Sequence, residues 1–297
     1  MSIKEFAEEI KVVLEKKTGR KVRINEVMKN NGVVLHGISI IEPDINITPT
    51  IYMEPFFNDF EKGRRLEEIS ENIWEIYHRN KIAGALNMNW FKDFEQVRGS
   101  VAYKLVNAEA NKELLEQVPY EKVLDLAKVY YVSVNTEEFG SGTVLVHNKH
   151  LELWEITAEQ LKEIAEDNTP KLFPAETMWM GDILKGYCND EEITKELEDM
   201  KKCCPMYVMS NAQKVFGAAT MYYPDTVKSF AEELEKDVLI IPSSTHEIIM
   251  MPMSANADIV QLREMVHEVN RTQVLDEEIL SDSVYIYSRD TDSISIA

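Results

Sequence analysis

The sequence predicts an α+β fold of antiparallel sheets built from hairpin–helix units, with the helices packed on one face. The evidence is densest in residues 206–289. Two alternating apolar stretches, 206–209 and 215–223, are separated by a polar turn and indicate one β-hairpin. Two more, 238–241 and 247–253, indicate a second hairpin. A helical pattern follows each hairpin, and residues 283–288 form a last strand, which together are typical of helices covering an antiparallel sheet.

The two helices of this region are predicted from apolar residues at i, i+3, i+4 and i+7 spacing. Pro224-Asp225 precedes the first helix and supplies a start signal. The two predicted apolar stripes are Val227, Phe230, Ala231 and Leu234 in the first helix, and Ile259, Leu262, Val266 and Val269 in the second.

Residues 1–89 are predicted to form an N-terminal α-β-β-α unit. Ser2 and Glu5 form a capping-box pattern at the start of the first helix, and Gly19 is placed to end it. Asn31-Gly32 between two alternating stretches is a strong β-hairpin signal. The predicted strands are residues 22–28, 33–41 and 50–55, and the second helix is residues 65–81.

Residues 90–297 are predicted to form a larger middle and C-terminal α+β region, with a possible sub-boundary near 186–203. A capping box of Thr157 and Gln160 opens a helix that is expected to stop at Pro170. The other predicted elements are a helix at 107–118, a strand at 126–134 with its hairpin partner at 143–147, an irregular stretch at 172–186 and a charged connector helix at 190–202.

Composition limits the classes of function. The net charge is -20, and no dense basic stretch is present, so direct nucleic-acid binding is not expected. No apolar run approaches the length of about 20 residues that spans a bilayer, and no signal peptide opens the chain. Three cysteines, two of them adjacent, do not indicate a disulfide framework. The protein is therefore expected in the cytoplasm, away from membranes.

Several stretches resemble a family of bacterial proteins known only as a domain of unknown function and common in anaerobic gut bacteria. They are Tyr103-Lys104-Leu105-Val106-Asn107, Asn111-Lys112-Glu113-Leu114-Leu115 with Val118-Pro119, and the stretches at 145–151, 166–174, 30–33 and 39–52. More distantly, the order of elements is similar to that of the YtpQ-like uncharacterised proteins, with Ile241-Pro242-Ser243 at the position of their late Val-Pro-Ser motif. Neither resemblance implies an activity, a cofactor or catalytic residues.

One turn concentrates chemically active side chains between two apolar strands. A nucleophile needs a base within hydrogen-bond reach and a third group to orient that base, and neighbours in an extended segment point to opposite faces. No Gly-x-Ser-x-Gly elbow flanks the turn. We therefore predict a ligand or partner contact here, because binding groups concentrate on loops held by rigid strands. The candidate binding residues are Ser243, Ser244, Thr245, His246 and Glu247.

Metal and cofactor sites are not predicted. His147 and His150 lie near each other in sequence but have no third ligand close by, and a zinc site needs three or four donors. Cys188, Cys203 and Cys204 lack CxxC spacing. The paired glutamates suit solvated helix faces, and the Gly140-Ser141-Gly142 run lacks the spacing of a phosphate-binding loop.

Trp179 is a further candidate binding residue. Together with Met178 and Met180 it forms an apolar cluster in a stretch where no helix or strand is predicted to cover it. The other methionine-rich stretch, at 250–253, fits a core strand instead.

The sequence thus favours an acidic, non-catalytic binding protein whose partner is an unknown protein or small-molecule ligand. Two alternatives stay open. One is a cofactor-free hydrolase built around residues 243–247, and the other is an acidic mimic of nucleic acid, which would need its carboxylates on one continuous face.

Overall fold

The chain is divided into two compact units, each made of helices and antiparallel sheet. The computed structural model describes residues 1–43, 45–81, 84, 89–136, 140–186 and 205–297. The first unit comprises Met1–Phe91 with Asn135–Ser141, and the second comprises Lys92–Val134 with Gly142–Ala297. The predicted α+β class with antiparallel sheets is confirmed. The boundary predicted after residue 89 stays a prediction.

The first unit packs helices against a three-stranded antiparallel sheet. Ser2 begins the first helix with the predicted capping box, and Gly19, at φ 66°, ends it. Asn31 and Gly32 both have positive φ in the predicted hairpin connection. The elements are α1 (Ile3–Thr18), β1 (Lys21–Met28), β2 (Val34–Ile41), β3 (Thr50–Tyr52), α2 (Glu54–Glu61) and α3 (Leu66–Asn80).

The core of the first unit lies between its sheet and helices. The apolar stripe of α1 packs there, and each fully buried side chain of this size contributes about 1.5–3 kcal/mol relative to exposure. The strand predicted at 50–55 is shorter than expected, because Pro55 occupies the first turn of α2, where its fixed φ favours a helix. The core includes Phe6, Ile10, Leu14, Ile38, Ile40, Met53, Ile69, Ile73 and Tyr77.

The second unit contains one antiparallel sheet and most of another, two of whose strands end in residues 135–136 and 140–141, which are counted with the first unit. One has six strands in the order β13-β12-β10-β11-β9-β8, and the other has the order β4-β6-β5, with β7 paired to β6. The strands are β4 (Val101–Asn107), β5 (Tyr120–Val123), β6 (Leu126–Thr136), β7 (Gly140–Leu145), β8 (Ala175–Trp179), β9 (Tyr207–Asn211), β10 (Val238–Ser244), β11 (Glu247–Pro252), β12 (Tyr285–Ser288) and β13 (Ser293–Ile296).

Helices of the second unit pack beside these sheets, and both helices predicted near the C-terminus are present. Val269 is 44% exposed rather than buried, because Asn270 takes the inward position and donates hydrogen bonds to Ser281 O and Asp282 Oδ1. The helices are α4 (Asn89–Lys92, split between the units), α5 (Phe94–Val97), α6 (Lys112–Leu115), α7 (Asn148–Trp154), α8 (Ala158–Leu172), α9 (Met180–Lys185), α10 (Thr226–Leu234) and α11 (Ile259–Gln273).

The prediction of a strand at residues 215–223 is wrong. Residues Gly217–Tyr222 form a 3₁₀ helix, and β9 pairs with β8 and β11 instead. The Asn211 side chain closes the preceding loop by accepting from the backbone N–H groups of Gln213 and Val215. Phe216 then adopts φ 55°, which an extended strand cannot contain.

Two helix predictions in the middle region need correction. The helix predicted at 107–118 shrinks to α6, because Asn107 ends β4 and its side chain caps the following turn at Ala110 N. α8 begins at the predicted capping box but does not stop at Pro170. The proline lies in the last turn, where it removes only one helical hydrogen bond, and Phe173 N still donates to Thr169 O.

The stretch predicted as irregular at 172–186 is ordered. It forms β8, which pairs with β9, followed directly by α9. Several other predictions fall outside the described residues. They are the connector helix and most of the possible sub-boundary near 186–203, together with Cys188, Cys203 and Cys204.

Candidate functional site

The predicted turn at residues 243–247 is a tight hairpin with most of its polar groups bonded locally. β10 continues through Pro242, Ser243 and Ser244, so that only Thr245 and His246 form the turn. Ser243 Oγ donates to Glu247 Oε1 over 3.3 Å. Ser244 Oγ accepts from His246 N over 3.0 Å. The serine hydroxyls therefore stabilise the hairpin itself.

Both ring nitrogens of His246 are engaged. Nδ1 accepts from the backbone N–H of Phe216 over 3.2 Å, so the neutral ring carries its proton on Nε2. Nε2 lies 3.5 Å from Glu278 Oε1, and the side chain is 32% exposed. In this arrangement neither nitrogen is placed to take a proton from Ser243 or Ser244, which a serine nucleophile would require.

Phe216 and Gly217 form the wall behind His246. The Phe216 ring stacks on the imidazole with centroids 5.9 Å apart, and Lys104 Nζ lies 4.3 Å from the Phe216 centroid. A Cβ on Gly217 would lie 2.1 Å from Ser210 Oγ and 2.4 Å from His246 O. Phe216, Lys104 and Glu278 were not predicted from the sequence, because no local pattern places three distant segments beside one turn.

Trp179 is buried at the end of β8, with 7% of its surface exposed. Its ring covers Gly181, where a Cβ would lie 2.3 Å from ring carbons, and Lys185 Nζ lies 4.9 Å from the ring centroid. Met178 is the exposed member of the cluster, at 40%. α9 thus covers the tryptophan that was expected to lack a covering element, and its binding role stays a prediction.

His147 and His150 lie at the N-terminus of α7 and cap this helix. His150 Nδ1 accepts from the backbone N–H of His147 over 3.1 Å. Burial, with the adjacent His147, lowers the pKa of His150. Within the described ranges, no group of three or more His, Cys, Asp or Glu side chains could hold a metal ion. The expected absence of metals and cofactors stays a prediction.

A cavity of about 420 Å³ in the second unit is the feature that sequence analysis did not anticipate. It is formed by the β5–β6 turn, the 3₁₀ helix Gly217–Tyr222, the start of α10 and the β12–β13 hairpin. Its volume falls in the usual range for small-molecule sites. The lining residues are Val123, Leu124, Met221, Tyr222, Tyr223, Asp225, Thr226, Val227, Lys228, Tyr287, Asp292, Ser293 and Ile294.

Three residues around this cavity have left-handed backbones without being glycine. Leu124 has φ 56°, Asp225 has φ 57° and Asp292 has φ 48°. Aspartate tolerates this region through local hydrogen bonds, whereas leucine has no such compensation. Leu124 is also 38% exposed. Three of the eight non-glycine residues with positive φ among the described residues therefore lie at this cavity.

Asp292 organises the polar side of the cavity. Its Oδ1 accepts from Tyr287 Oη over 2.6 Å, and its Oδ2 accepts from Lys228 Nζ over 2.6 Å. These bonds lower the pKa of Asp292, and the Asp292 carboxylate in turn raises the pKa of Lys228. Burial, with the bond to Asp292, raises the pKa of Tyr287 to about 12. At neutral pH the cavity therefore holds a carboxylate, an ammonium and a neutral phenol in one network.

Tyr222 and Tyr223 form the inner wall. Their hydroxyl oxygens are buried and have no hydrogen-bond partner among the described residues. Burial raises the pKa of both phenols. Because the hydroxyls are inaccessible, what these two residues present to the cavity is ring surface. No known sequence motif corresponds to this wall. The only local signal in the sequence is the pair Tyr222-Tyr223 before Pro224-Asp225.

Comparisons with known proteins identify a family without an activity. None of the helices formed by the described residues combines the length and the apolar composition that a membrane crossing requires. No curated protein and no solved structure matches the chain. Residues 3–289 match the model of DUF5688, a family of unknown function, as the resemblance to a domain of unknown function predicted. Since this match covers nearly all 297 residues, the chain belongs to the DUF5688 family.

Proposed function

We propose that this chain is a non-catalytic binding protein and that its ligand is a small molecule held in the cavity between the β5–β6 turn and α10. One observation carries the proposal: the left-handed backbones of Leu124, Asp225 and Asp292 meet at this cavity. The left-handed leucine costs about 1–2 kcal/mol and the two aspartates cost less, and backbone strain is found at ligand sites. The strained turns hold the cavity open before a ligand arrives, which lowers the cost of binding.

Binding is favoured over catalysis because the aliphatic hydroxyls and the amine of the lining are already bonded. Thr226 Oγ1 donates to Pro224 O over 3.3 Å. Ser293 Oγ pairs with Thr291 Oγ1 over 2.8 Å, and Lys228 Nζ is held by Asp292. No histidine or cysteine belongs to the lining. A nucleophile with a free base beside it, which covalent catalysis needs, is missing from the lining residues.

The experiment is a ligand screen with a variant that fills the cavity. We expect ligand-observed NMR to detect binders in a library of small fragments with the wild-type chain. Ile294→Trp, on β13 at the cavity wall, should abolish their binding. Ile296→Trp, on the same strand but outside the lining, should retain it. Fragments that bind all three proteins equally would show that the cavity is not the site.

The hydrolase built on residues 243–247 is the second candidate. It is supported by His246, whose side chain is 32% exposed and whose Nε2 lies 3.5 Å from Glu278 Oε1, and it requires the ring to turn so that one nitrogen faces Ser243 or Ser244. Hydrolysis of p-nitrophenyl acetate would test it with wild-type chain and with His246→Ala. A hydrolase shows a saturable rate that is lost in the variant, whereas the binding account expects no saturable rate in either protein, because an exposed imidazole gives only slow hydrolysis that rises linearly with ester concentration.

Other expectations from the sequence stay proposals. They are a cytoplasmic location, an origin in bacteria of the gut, likeness to the YtpQ-like proteins, mimicry of nucleic acid, and a ligand or partner contact at Ser243, Ser244, Thr245, His246, Glu247 and Trp179. The net charge of -20 supports only the mimicry of nucleic acid directly, because a mimic needs dense negative charge.

A further inference from the structure

We propose that the ligand of the cavity is a small organic cation, namely a protonated amine attached to an apolar or aromatic body. This inference rests on the proposed function and names the chemical class of the ligand. It follows from the charges at the rim, from the aromatic wall and from the apolar remainder of the lining.

The rim carries more negative than positive charge. The charged lining residues are Asp225, Asp292 and Lys228, which give a net charge of −1. Lys228 Nζ is already held by Asp292, so the carboxylate left over is that of Asp225. Asp225 is exposed and does not cap α10 with its side chain. Its charge also acts on Lys228, but the ion pair of Lys228 is with Asp292, so the carboxylate of Asp225 is only partly balanced and can pair with a cation that enters the cavity.

The start of α10 is the opposing influence, because a helix N-terminus favours anions. Its partial charge is roughly half a positive charge. The carboxylate of Asp225 stands at the same place, at the N-cap position, and carries a full negative charge. The sum of these two charges at the start of α10 is still negative, so an ammonium group is favoured there over a carboxylate or phosphate group.

Aromatic rings supply the second recognition element. Tyr223 and Tyr287 line the cavity, and both are neutral at physiological pH because burial raises the pKa of each phenol. The face of a neutral tyrosine ring attracts a cation within about 6 Å of its centroid. Tyr222 already has Lys128 Nζ at 5.6 Å from its centroid. We therefore assign the contact with the ligand's ammonium group to Tyr223 and Tyr287.

The remaining lining is apolar except for Thr226 and Ser293, whose hydroxyls are bonded locally, and it accounts for the body of the ligand. Apolar side chains surround the cavity on the side of the β5–β6 turn, the 3₁₀ helix and β13. A fully polar cation such as an inorganic ion would leave this surface unused, whereas an aliphatic or aromatic body gains about 25 cal/mol for each Å² it buries. The apolar lining residues are Val123, Leu124, Met221, Val227 and Ile294.

The experiment uses three probes that share one body and differ in charge. They are 3-phenylpropylamine, 3-phenylpropan-1-ol and 3-phenylpropanoate, titrated against the wild-type chain at pH 7 and followed by NMR. We expect the amine to bind at least tenfold more tightly than the alcohol, and the carboxylate to bind most weakly. Added salt should weaken the binding of the amine and leave the binding of the alcohol unchanged.

Two variants locate the charge that the amine contacts. Asp225→Asn keeps the left-handed backbone, which asparagine tolerates, and should weaken amine binding several-fold while leaving the alcohol unchanged. Asp290→Asn removes an exposed carboxylate from the turn between β12 and β13. Asp290 does not line the cavity, so this variant should bind both probes as the wild-type chain does.

Failure of the inference and failure of the proposed function give different results. If the three probes bind equally, or if the carboxylate binds most tightly, the assignment of the ligand as an organic cation is overturned. The proposal that the cavity is a binding site then still stands. An amine that binds equally well to Asp225→Asn and Asp290→Asn also overturns the assignment of the ligand as an organic cation. Failure of all three probes to bind the wild-type chain, with no binder in the fragment screen, overturns both.

Discussion

Leu124 has the most telling conformation among the residues of the cavity. It occupies the tight turn between β5 and β6 with a left-handed backbone, where asparagine or glycine would cost less. The next residue, Asp125, accepts hydrogen bonds from Ser281 Oγ over 2.6 Å and from Tyr285 Oη over 2.7 Å. These bonds hold the turn in place, so Leu124 presents its side chain at the cavity edge despite the strain.

Leu124→Asn should increase the free energy of unfolding by about 1 kcal/mol, since it relieves a left-handed conformation that costs about 1–2 kcal/mol for a residue such as leucine. Chemical denaturation measures the change. Leu153→Asn, which replaces an exposed leucine of α7, is the control and should be neutral or destabilising. Equal destabilisation by both substitutions would mean that strain at Leu124 is negligible.

Gly217 is the residue on which the His246 wall depends. Gly217→Ala should decrease the free energy of unfolding by about 2 kcal/mol or more, because its Cβ would overlap Ser210 Oγ and His246 O. Gly99→Ala provides the matched control, since no atom lies within 4 Å of its Cβ position. Thermal unfolding of both variants checks the difference, and similar melting temperatures would contradict the close packing.

At the scale of elements, the sequence predicted most of what depends on local signals. The capping boxes at Ser2 and Thr157, the Asn31-Gly32 hairpin and the buried strand after residue 238 are all present. These features depend on residues within about four positions of one another. These predictions agree with the structure because each element is stabilised by residues that are close to it in the sequence.

The elements that were missed depend on distant partners. The alternation at 215–223 is typical of a strand, yet the Asn211 side chain and the His246 ring hold this segment in another conformation. β8 and β13 were missed because each gains its stability from the strand it pairs with. The cavity could not be predicted for the same reason, since its lining comes from four separate segments.

Glu42 connects elements of the first unit. It follows β2, accepts from Tyr77 Oη of α3 over 2.8 Å and pairs with Arg20 and Lys81. Burial raises the pKa of Glu42, but the hydrogen bonds from Tyr77 and Lys81 and the charge of Arg20 outweigh it, so the pKa is lowered. The stability that this carboxylate contributes is therefore present above its unfolded pKa of about 4.3 and lost as the pH falls through its folded value.

Glu42→Gln should lower the free energy of unfolding by about 2 kcal/mol at pH 7 and by less at pH 3, which lies below the unfolded pKa of about 4.3, so that part of the stability contributed by the carboxylate is already lost. Urea denaturation at the two pH values measures this. Tyr77→Phe, which removes one donor, should reproduce part of the loss at pH 7. A loss in Glu42→Gln that is the same at both pH values would show that the ionised form is not the stabilising one.

The whole molecule carries a net charge of -20, which increases the local concentration of cations near its surface. At physiological ionic strength this attraction fades over about 8 Å, so it concentrates a cationic ligand without selecting where the ligand binds. Selection has to come from the rim of the cavity, where Asp225 and the tyrosine rings act over short distances. The global charge and the local site thus favour the same class of ligand.

The most direct test of the binding account is native mass spectrometry of the chain isolated gently from its own host, beside Ile294→Trp and Ile296→Trp produced there. We predict a small extra mass on the wild-type chain and on Ile296→Trp that disappears on denaturation, and its loss from Ile294→Trp. A wild-type chain without extra mass, or an extra mass retained by Ile294→Trp, would contradict the assignment of the cavity as the ligand site.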